Sequence, residues 1–309
     1  MKKIKNSYDP ISFQERKRIL KNVTIASVLV SALLVIIKLI AWSATDSVSI
    51  LSSLVDSSFD AIASLVNLFA VRHALVPADK NHRFGHGKAE ALSGIAQSMF
   101  IFGSVVFLLI EVFSRFFFPK PIDHSFFGII IILISLVLTF LLVLYQKSVI
   151  KKTKSTAIKA DSLHYLSDIL LNFGVILSLI ISSFFSIWFA DPLFALIISV
   201  YILSVTYRIF ISSLDELMDK EFSEEDRVKI IKTVLDHELV KDIHDLRTRK
   251  SGYSAFIQFH LDLSPSLSLL EAHKISDEVE SKLLYYFPGS EIIIHQDPEG
   301  IDEQRDSFD

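Results

Sequence analysis

The 309-residue chain contains no cysteine, only nine glycines, eight prolines and three methionines, and little net charge, −4 at neutral pH. The missing cysteines exclude disulfide bonds and thiolate metal sites together. Any metal must therefore be held by His, Asp and Glu, which are harder ligands than thiolate and suit a site that has to release its ion. The chain also lacks a basic patch with interleaved aromatic residues, so nothing in it indicates binding to nucleic acid.

Apolar residues are abundant and gathered into blocks. Hydrophobic residues make up 51% of the chain, Phe occurs 25 times, and the mean hydropathy is +0.46. Six apolar runs each approach the roughly 20 residues that a spanning helix needs. They cover residues 23–42, 48–68, 92–110, 126–145, 163–189 and 193–210. We therefore predict an α-helical membrane protein with six transmembrane helices, in a domain of residues 1–211.

The last third of the chain, residues 212–309, has the pattern of a water-exposed domain. Charges return, and no run is long enough to cross a bilayer. Ser223 followed by three acidic residues predicts a capped helix start. A turn at Ser251 and Gly252 separates two predicted strands, and a helical period over residues 269–287 leads to a short strand at 291–296. This α-β-β-α-β order predicts a small α+β domain with helices on one side of the sheet.

Basic residues indicate how the chain crosses the membrane. Lys and Arg are concentrated before the first run and in the second-to-third and fourth-to-fifth connections, whereas the opposite connections carry only Arg115 and Lys120. Loops rich in Lys and Arg face the cytoplasm. We expect both termini and the C-terminal domain to be cytoplasmic. The first run is of spanning length, so we do not interpret the N-terminus as a cleaved signal peptide.

Two pairs of ionisable residues lie inside apolar runs. Asp56 and Asp60, and likewise His164 and Asp168, are four residues apart, which places each pair on one face of a helix. A charged group at bilayer depth costs about 2.5 kcal/mol or more. Two such pairs facing each other would supply the four ligands of a tetrahedral cation site. The alternative is that the four pair between helices and fix packing.

Three carboxylates and one imidazole cannot neutralise one another, because the acids outnumber their cationic partners. Either a cation or protons must fill the site, and both compete for the same lone pairs. This competition predicts the exchange of a metal ion moving one way for protons moving the other way.

A second candidate site lies between the second and third runs. Asp79, His82 and His86 have three- and four-residue spacings at which local His and Asp side chains can chelate a metal. The alternative is an ordinary polar cytoplasmic loop, and the pattern does not decide between them.

A third candidate site is scattered over the C-terminal domain, in His244, His260, His273, His295 and Asp297. His260 falls on the polar face of its predicted strand, and His295 shares a side with Asp297 if their strand continues. These residues could hold one or two ions. The alternative is a set of solvated surface histidines, and the pattern leaves both open.

Five segments in a fixed order carry a family resemblance. They are SILSSLVDSSFD at 49–60, NHRFGHGKAE at 81–90, KADSLHYLSD at 159–168, HDLRTR at 244–249 and IIIHQDP at 292–298. Together they resemble the cation diffusion facilitator family, and within it the bacterial ferrous-iron and zinc efflux pumps most closely. The similarity runs from about residue 19 to residue 298. It implies a homodimeric, proton-coupled exporter of divalent metals in the bacterial inner membrane, with six spans and a metallochaperone-like cytoplasmic domain.

The resemblance also assigns roles to individual residues. It implies a transport site of Asp56, Asp60, His164 and Asp168, a loop site of Asp79, His82 and His86, and a binuclear cytoplasmic site of His244, His260, His273, His295 and Asp297. Asp297 would bridge two ions. Lys88 and Asp219 match a charge pair near the dimer interface, the alternative being two solvated side chains of little energetic weight. One departure is Asp46, where relatives have Gly; at the outer mouth it would add negative charge and alter metal release.

The ligands of the predicted transport site indicate which metal ions it would bind. One imidazole with three carboxylates suits zinc, cadmium or ferrous iron, whereas an all-carboxylate site would favour manganese. We predict an antiporter that exports Zn²⁺, with Fe²⁺ or Cd²⁺ as alternatives, and Zn²⁺ also as a structural ion. A metal-gated channel or a metal sensor without proton exchange is the rival. An intramembrane metalloprotease would need a two-histidine helix motif, and His237-Glu238 lacks the second histidine.

Overall fold

The computed structural model describes residues 12–45, 48–117, 126–185 and 190–300. Of these, residues 12–215 belong to one compact unit and residues 216–300 to another. Asp46 lies outside the described residues.

The first unit is a bundle of six helices. They are α1 (Phe13–Thr45), α2 (Val48–Ala74), α3 (Ala89–Phe117), α4 (Phe126–Thr153), α5 (Thr156–Phe185) and α6 (Ala190–Leu217). Within the described residues, α1 to α4 and α6 are long and apolar enough to cross a membrane. The remaining helix, α5, carries ionisable residues in its first half. The predicted six-helix architecture is confirmed, and most of the helices extend beyond the apolar runs into charged sequence.

The α5 helix lies centrally, against α2, α3 and α4, while α1 packs on α2 and α4.

Buried polar residues connect the helices where the apolar runs end. Arg16 of α1 is buried and pairs with the buried Glu90 of α3 at 3.2 Å. The Arg16 guanidinium also donates to the Thr153 carbonyl, and the Ser155 hydroxyl donates to Glu90 at 2.7 Å. A single ion pair therefore ties α1, α3 and the α4–α5 connection together.

Helices α3 and α6 approach each other closely at a glycine. A β-carbon added at Gly94 of α3 would overlap the hydroxyl of Ser213 on α6 and lie 3.3 Å from the Thr156 methyl. At Gly103, further along α3, nothing lies within 4 Å of such a carbon. Only the first of these two positions needs a residue without a side chain.

The second unit has the predicted α-β-β-α-β order. Its elements are α7 (Glu224–Leu235), β1 (Val240–Ser251), β2 (Ser254–Leu263), α8 (Leu269–Tyr286) and β3 (Ser290–Pro298). Ser223 caps α7 as predicted, since its side chain accepts from the backbone N–H of Asp226. A full capping box of Ser268 and Glu271 starts α8. Hydrogen bonds from the Ser268 hydroxyl and then from its backbone N–H lower the pKa of Glu271.

The three strands form a mixed sheet in the order β1-β2-β3. The β1–β2 pair is antiparallel, and β2–β3 is parallel because α8 carries the chain across. Ile257, Phe259 and Leu261 of β2 are buried on one face against Val279 of α8 and Ile230 of α7. The register places one histidine on each strand side by side, in the order His244, His260 and His295.

Candidate metal sites

The transport-site prediction concerned two helices, α2 and α5. The structure brings Asp60 of α2 together with His164 and Asp168 of α5, with one ligand atom of each within 4.8 Å of the others. His164 Nε2 lies 2.8 Å from Asp60 Oδ1, and the imidazole is almost fully buried. His164 and Asp168 share a face because they are one helical turn apart. These residues offer one nitrogen and two carboxylates, three of the four ligands of a tetrahedral site.

Asp56, the fourth predicted ligand, is exposed on α2 and lies outside this group of three. It lies one turn before Asp60, and the two carboxylates are close enough to repel each other. Completing a four-residue site would therefore require Asp56 to approach the other three.

The loop between α2 and α3 also assembles its predicted ligands. Asp79, His82 and His86 offer ligand atoms within 4.8 Å of one another. His82 Nδ1 and His86 Nε2 each lie 3.5 Å from a different oxygen of Asp79. Backbone N–H groups of His82 and Asn81 donate to the Asp79 carboxylate at 2.7 and 2.8 Å, and these bonds lower the pKa of Asp79. The turn itself thus presents an ionised carboxylate to two imidazoles.

The polar face of the sheet gathers most of the third predicted set. His244, His260 and Asp297 form a group within 4.8 Å. Asp297 Oδ2 lies 2.8 Å from His260 Nδ1 and 3.3 Å from His244 Nε2. Its other oxygen, Oδ1, lies 3.1 Å from His295 Nε2. The buried carboxylate therefore faces histidines with both oxygens, which is the disposition that a bridging ligand needs.

His273 is not brought into this cluster. It lies on α8, largely exposed, with Asp277 one turn away at 3.6 Å. Two acids that the sequence reasoning did not select lie beside the histidines instead: Asp262 is 3.3 Å from His244 Nδ1, and Asp245 is 3.8 Å from His260 Nε2. Asp262 could have been found from the sequence, because it follows His260 by two residues and shares its strand face.

With three groups of ligating residues in place, comparison with known proteins decides the family. The family model described as the cation efflux transmembrane domain matches residues 24–218, and the model described as the cation efflux protein cytoplasmic domain matches residues 222–299. The chain belongs to the cation efflux family. It is thus a multi-pass membrane transporter of the cation efflux type, with the cytoplasmic domain of that family at its C-terminus. That domain's model, named for dimerisation, indicates that the transporter dimerises.

Two relatives resemble this cation efflux transporter over nearly its whole length. The cation-efflux pump FieF of Escherichia fergusonii is 45% identical over 289 residues, covering 92% of this chain and 95% of the relative. Protein p34 of Rickettsia prowazekii is 47% identical over 287 residues, covering 93% and 95%. Among solved structures, the metal-bound C-terminal domain of the CzcD transporter from Thermotoga maritima is 27% identical. The match covers 26% of this chain and 95% of that domain, with a TM-score of 0.25.

A lysine of the transporter, Lys38, also lies close to the group of Asp60, His164 and Asp168, and the sequence reasoning missed it. The Lys38 ammonium of α1 donates to the Ser57 hydroxyl at 2.6 Å and to the Ser53 carbonyl at 3.2 Å, both on α2. It interacts electrostatically with Asp60, Asp168 and Asp56. Lys38 therefore adds one positive charge to the cationic partners of these acids. The signal was present, since Lys38 is the one ionisable residue in the run 23–42.

A further buried acid, Asp161, lies one turn before His164 on α5. One of its oxygens accepts from the Ser27 hydroxyl and from the Gln146 amide, both at 2.8 Å. Ser27 belongs to α1 and Gln146 to α4, so the carboxyl links three helices and fixes the rotation of α5. Burying a polar group is costly without such hydrogen bonds. Asp161 therefore acts on the site through the placement of His164.

Lys88 and Asp219, the predicted charge pair, belong to different units. Asp219 has a positive φ of 57°, and Arg249 Nη1 lies 3.5 Å from its carboxylate. The Lys88–Asp219 pair stays a prediction.

Proposed function

We propose that this cation efflux transporter exports divalent metal ions from the cytoplasm in exchange for protons, with Zn²⁺ as the principal substrate and Fe²⁺ or Cd²⁺ as alternatives. The observation that carries the proposal is the convergence of Asp60, His164 and Asp168 within the helix bundle. A mixed imidazole and carboxylate donor set suits these ions, and the name of the FieF relative, a cation-efflux pump, agrees with it.

The exchange follows from the chemistry of the three ligands. A metal binds them when the carboxylates are ionised and the imidazole is neutral, because protons and metal use the same lone pairs. Protons that arrive at His164 and the aspartates from the opposite side remove those lone pairs and release the ion. Rocking of helices about the fixed site opens it to each side in turn.

We also propose a homodimer in the bacterial inner membrane, with both termini cytoplasmic. The distribution of Lys and Arg supports this orientation. In the cytoplasmic domain, His244, His260, His295 and Asp297 would hold structural Zn²⁺, since their nitrogens and carboxylate oxygens converge from three strands. An ion bound there would favour whichever arrangement of the dimer binds it more tightly.

The transport site is tested by removing one charge from it. Asp60→Asn keeps the shape of the side chain but loses the carboxylate, so proton-driven Zn²⁺ uptake into inside-out vesicles should fall to the level of vesicles without the protein. Asp236→Asn serves as the control, because this acid is exposed and lies outside all three clusters. Undiminished Zn²⁺ uptake by Asp60→Asn would refute the proposed transport site.

Proton exchange is tested separately from metal movement. Collapse of the pH gradient with a proton ionophore should stop uptake against a metal gradient, and the uptake rate should saturate with metal concentration. Fast, non-saturating metal flux that does not depend on the pH gradient would instead indicate a metal-gated channel. Metal binding without flux would indicate a sensor.

A further inference from the structure

The transport cluster contains a cation that belongs to the protein itself. Lys38 lies in the interior of an apolar run, and its ammonium is held by two groups of α2, the Ser57 hydroxyl and the Ser53 carbonyl. Both groups are on the helix that carries Asp60. A lysine near the end of a span can extend its ammonium to the lipid headgroups. Here the ammonium turns inward to a neighbouring helix instead.

The charges around the ammonium are the carboxylates of the site. Asp60, Asp168 and Asp56 all attract it. The hydrogen bond to Ser57, at 2.6 Å, holds the ammonium on a residue that follows Asp56 directly and precedes Asp60 by about one turn of α2. A dication bound by Asp60 and Asp168 would share the site with this positive charge, and like charges in a partly buried setting repel strongly.

We propose that Lys38 is a fixed internal counter-ion of the transport site, which weakens metal binding and thereby speeds release, and that its hydrogen bond to Ser57 keeps the ammonium from moving fully onto the carboxylates. The inference rests on the proposed function and adds a positioning residue to it. It also accounts for how a cluster of acids is tolerated within the bundle, since intramembrane charges are paired.

The primary test compares Lys38→Met with Lys38→Arg in the full-length protein reconstituted in proteoliposomes, with Zn²⁺ uptake followed by a trapped dye. Lys38→Met should lower the half-saturating Zn²⁺ concentration about tenfold, equivalent to about 1.4 kcal/mol. It should also lower the maximal rate, because the ion leaves more slowly. Lys38→Arg keeps the charge and should restore both parameters toward those of the unmodified protein.

Ser57 gives a second variant with the opposite expected sign. Ser57→Ala frees the ammonium to move onto the carboxylates, so the half-saturating Zn²⁺ concentration should rise severalfold. The same change made together with Lys38→Met should have no such effect. Ser58→Ala is the matched control, because among the described residues the Ser58 hydroxyl donates to the Leu54 carbonyl of its own helix, at 2.8 Å.

A purely structural role for Lys38 gives a different result. Lys38→Met would then raise the half-saturating concentration while lowering the rate, and that result, or unchanged parameters, overturns the inference. If Lys38→Met does not reach the membrane, equal behaviour of Ser57→Ala and Ser58→Ala overturns it instead. Uptake that survives Asp60→Asn refutes the proposed function itself, whereas loss with Asp60→Asn beside normal Lys38→Met refutes only the counter-ion.

Discussion

Removing one partner of the buried ion pair between Arg16 and Glu90 should strongly destabilise the helix bundle. Glu90→Gln removes the negative charge but retains an oxygen that can accept from Ser155. The Arg16 guanidinium, with only 6% of its side chain exposed, would then keep its charge without the carboxylate that balances it. The perturbation is therefore the loss of a buried charge partner rather than of a neutral contact.

The expected size follows from this burial. Removing one partner of a buried ion pair costs about 3–5 kcal/mol. We take the lower end, about 3 kcal/mol, because the amide oxygen still accepts hydrogen bonds and the guanidinium keeps its bond to the Thr153 carbonyl. On the scale of soluble domains of about 200 residues, this corresponds to a fall of about 6–12 °C in the unfolding midpoint.

The assay is thermal unfolding of the detergent-solubilised protein, followed by the loss of its folded peak in size-exclusion chromatography. Glu15→Gln is the matched control, because Glu15 precedes Arg16 on α1 and is exposed. It should shift the midpoint little. Equal shifts for the two variants would refute the reasoning, since burial would then make no difference.

Three further outcomes are expected. Gly94→Ala should lower the unfolding midpoint by the equivalent of about 1–3 kcal/mol because its methyl overlaps the α6 hydroxyl packed there, whereas Gly103→Ala, measured in the same melt, should be neutral. Because the pKa of Glu271 is lowered in the folded protein, its carboxylate stabilises α8 fully above the unfolded pKa of about 4.3, and this stabilisation is lost as the pH falls through the folded pKa. Amide protection at the start of α8 should therefore decrease over that pH range. It should not do so in Glu271→Gln. Zn²⁺ at 100 times its dissociation constant should stabilise the cytoplasmic domain by about 2.7 kcal/mol, an effect lost in His260→Ala and kept in His273→Ala, as differential scanning calorimetry can show.

Much of the architecture could be predicted from hydrophobic patterns. The six apolar runs each became a helix, because in a bilayer the backbone must satisfy its own hydrogen bonds. The C-terminal order followed from the cap at Ser223 and from the alternation along β2, where Ile257, Phe259, Leu261 and Leu263 are all buried. Helix ends were less predictable. Charged sequence such as that around Arg16 continues α1 when a partner on another helix buries it.

The ligand clusters show where spacing stops being informative. Four-residue spacing placed Asp56 and Asp60 on one helix face, but of these two only Asp60 belongs to the group of ligand atoms that the described residues form with His164 and Asp168. Lys38 was missed although it is the one ionisable residue of its apolar run. Asp161 was missed because its partners lie on other helices, and contacts of that range leave no local pattern. His273 was selected as one of the scattered histidines of the domain, and its own sequence position carries no sign that α8 presents it to solvent.

The row of His244, His260 and His295 runs across the sheet rather than along it. Any ion that draws on Asp297 and these rings would fasten together strands joined by a long stretch of chain, closing a loop of about fifty residues. Because the ion binds the folded domain and must leave before the strands separate, it should slow the opening of all three strands together. The availability of cytoplasmic zinc would then set how long this domain survives proteolysis, separately from how fast the bundle moves its cargo.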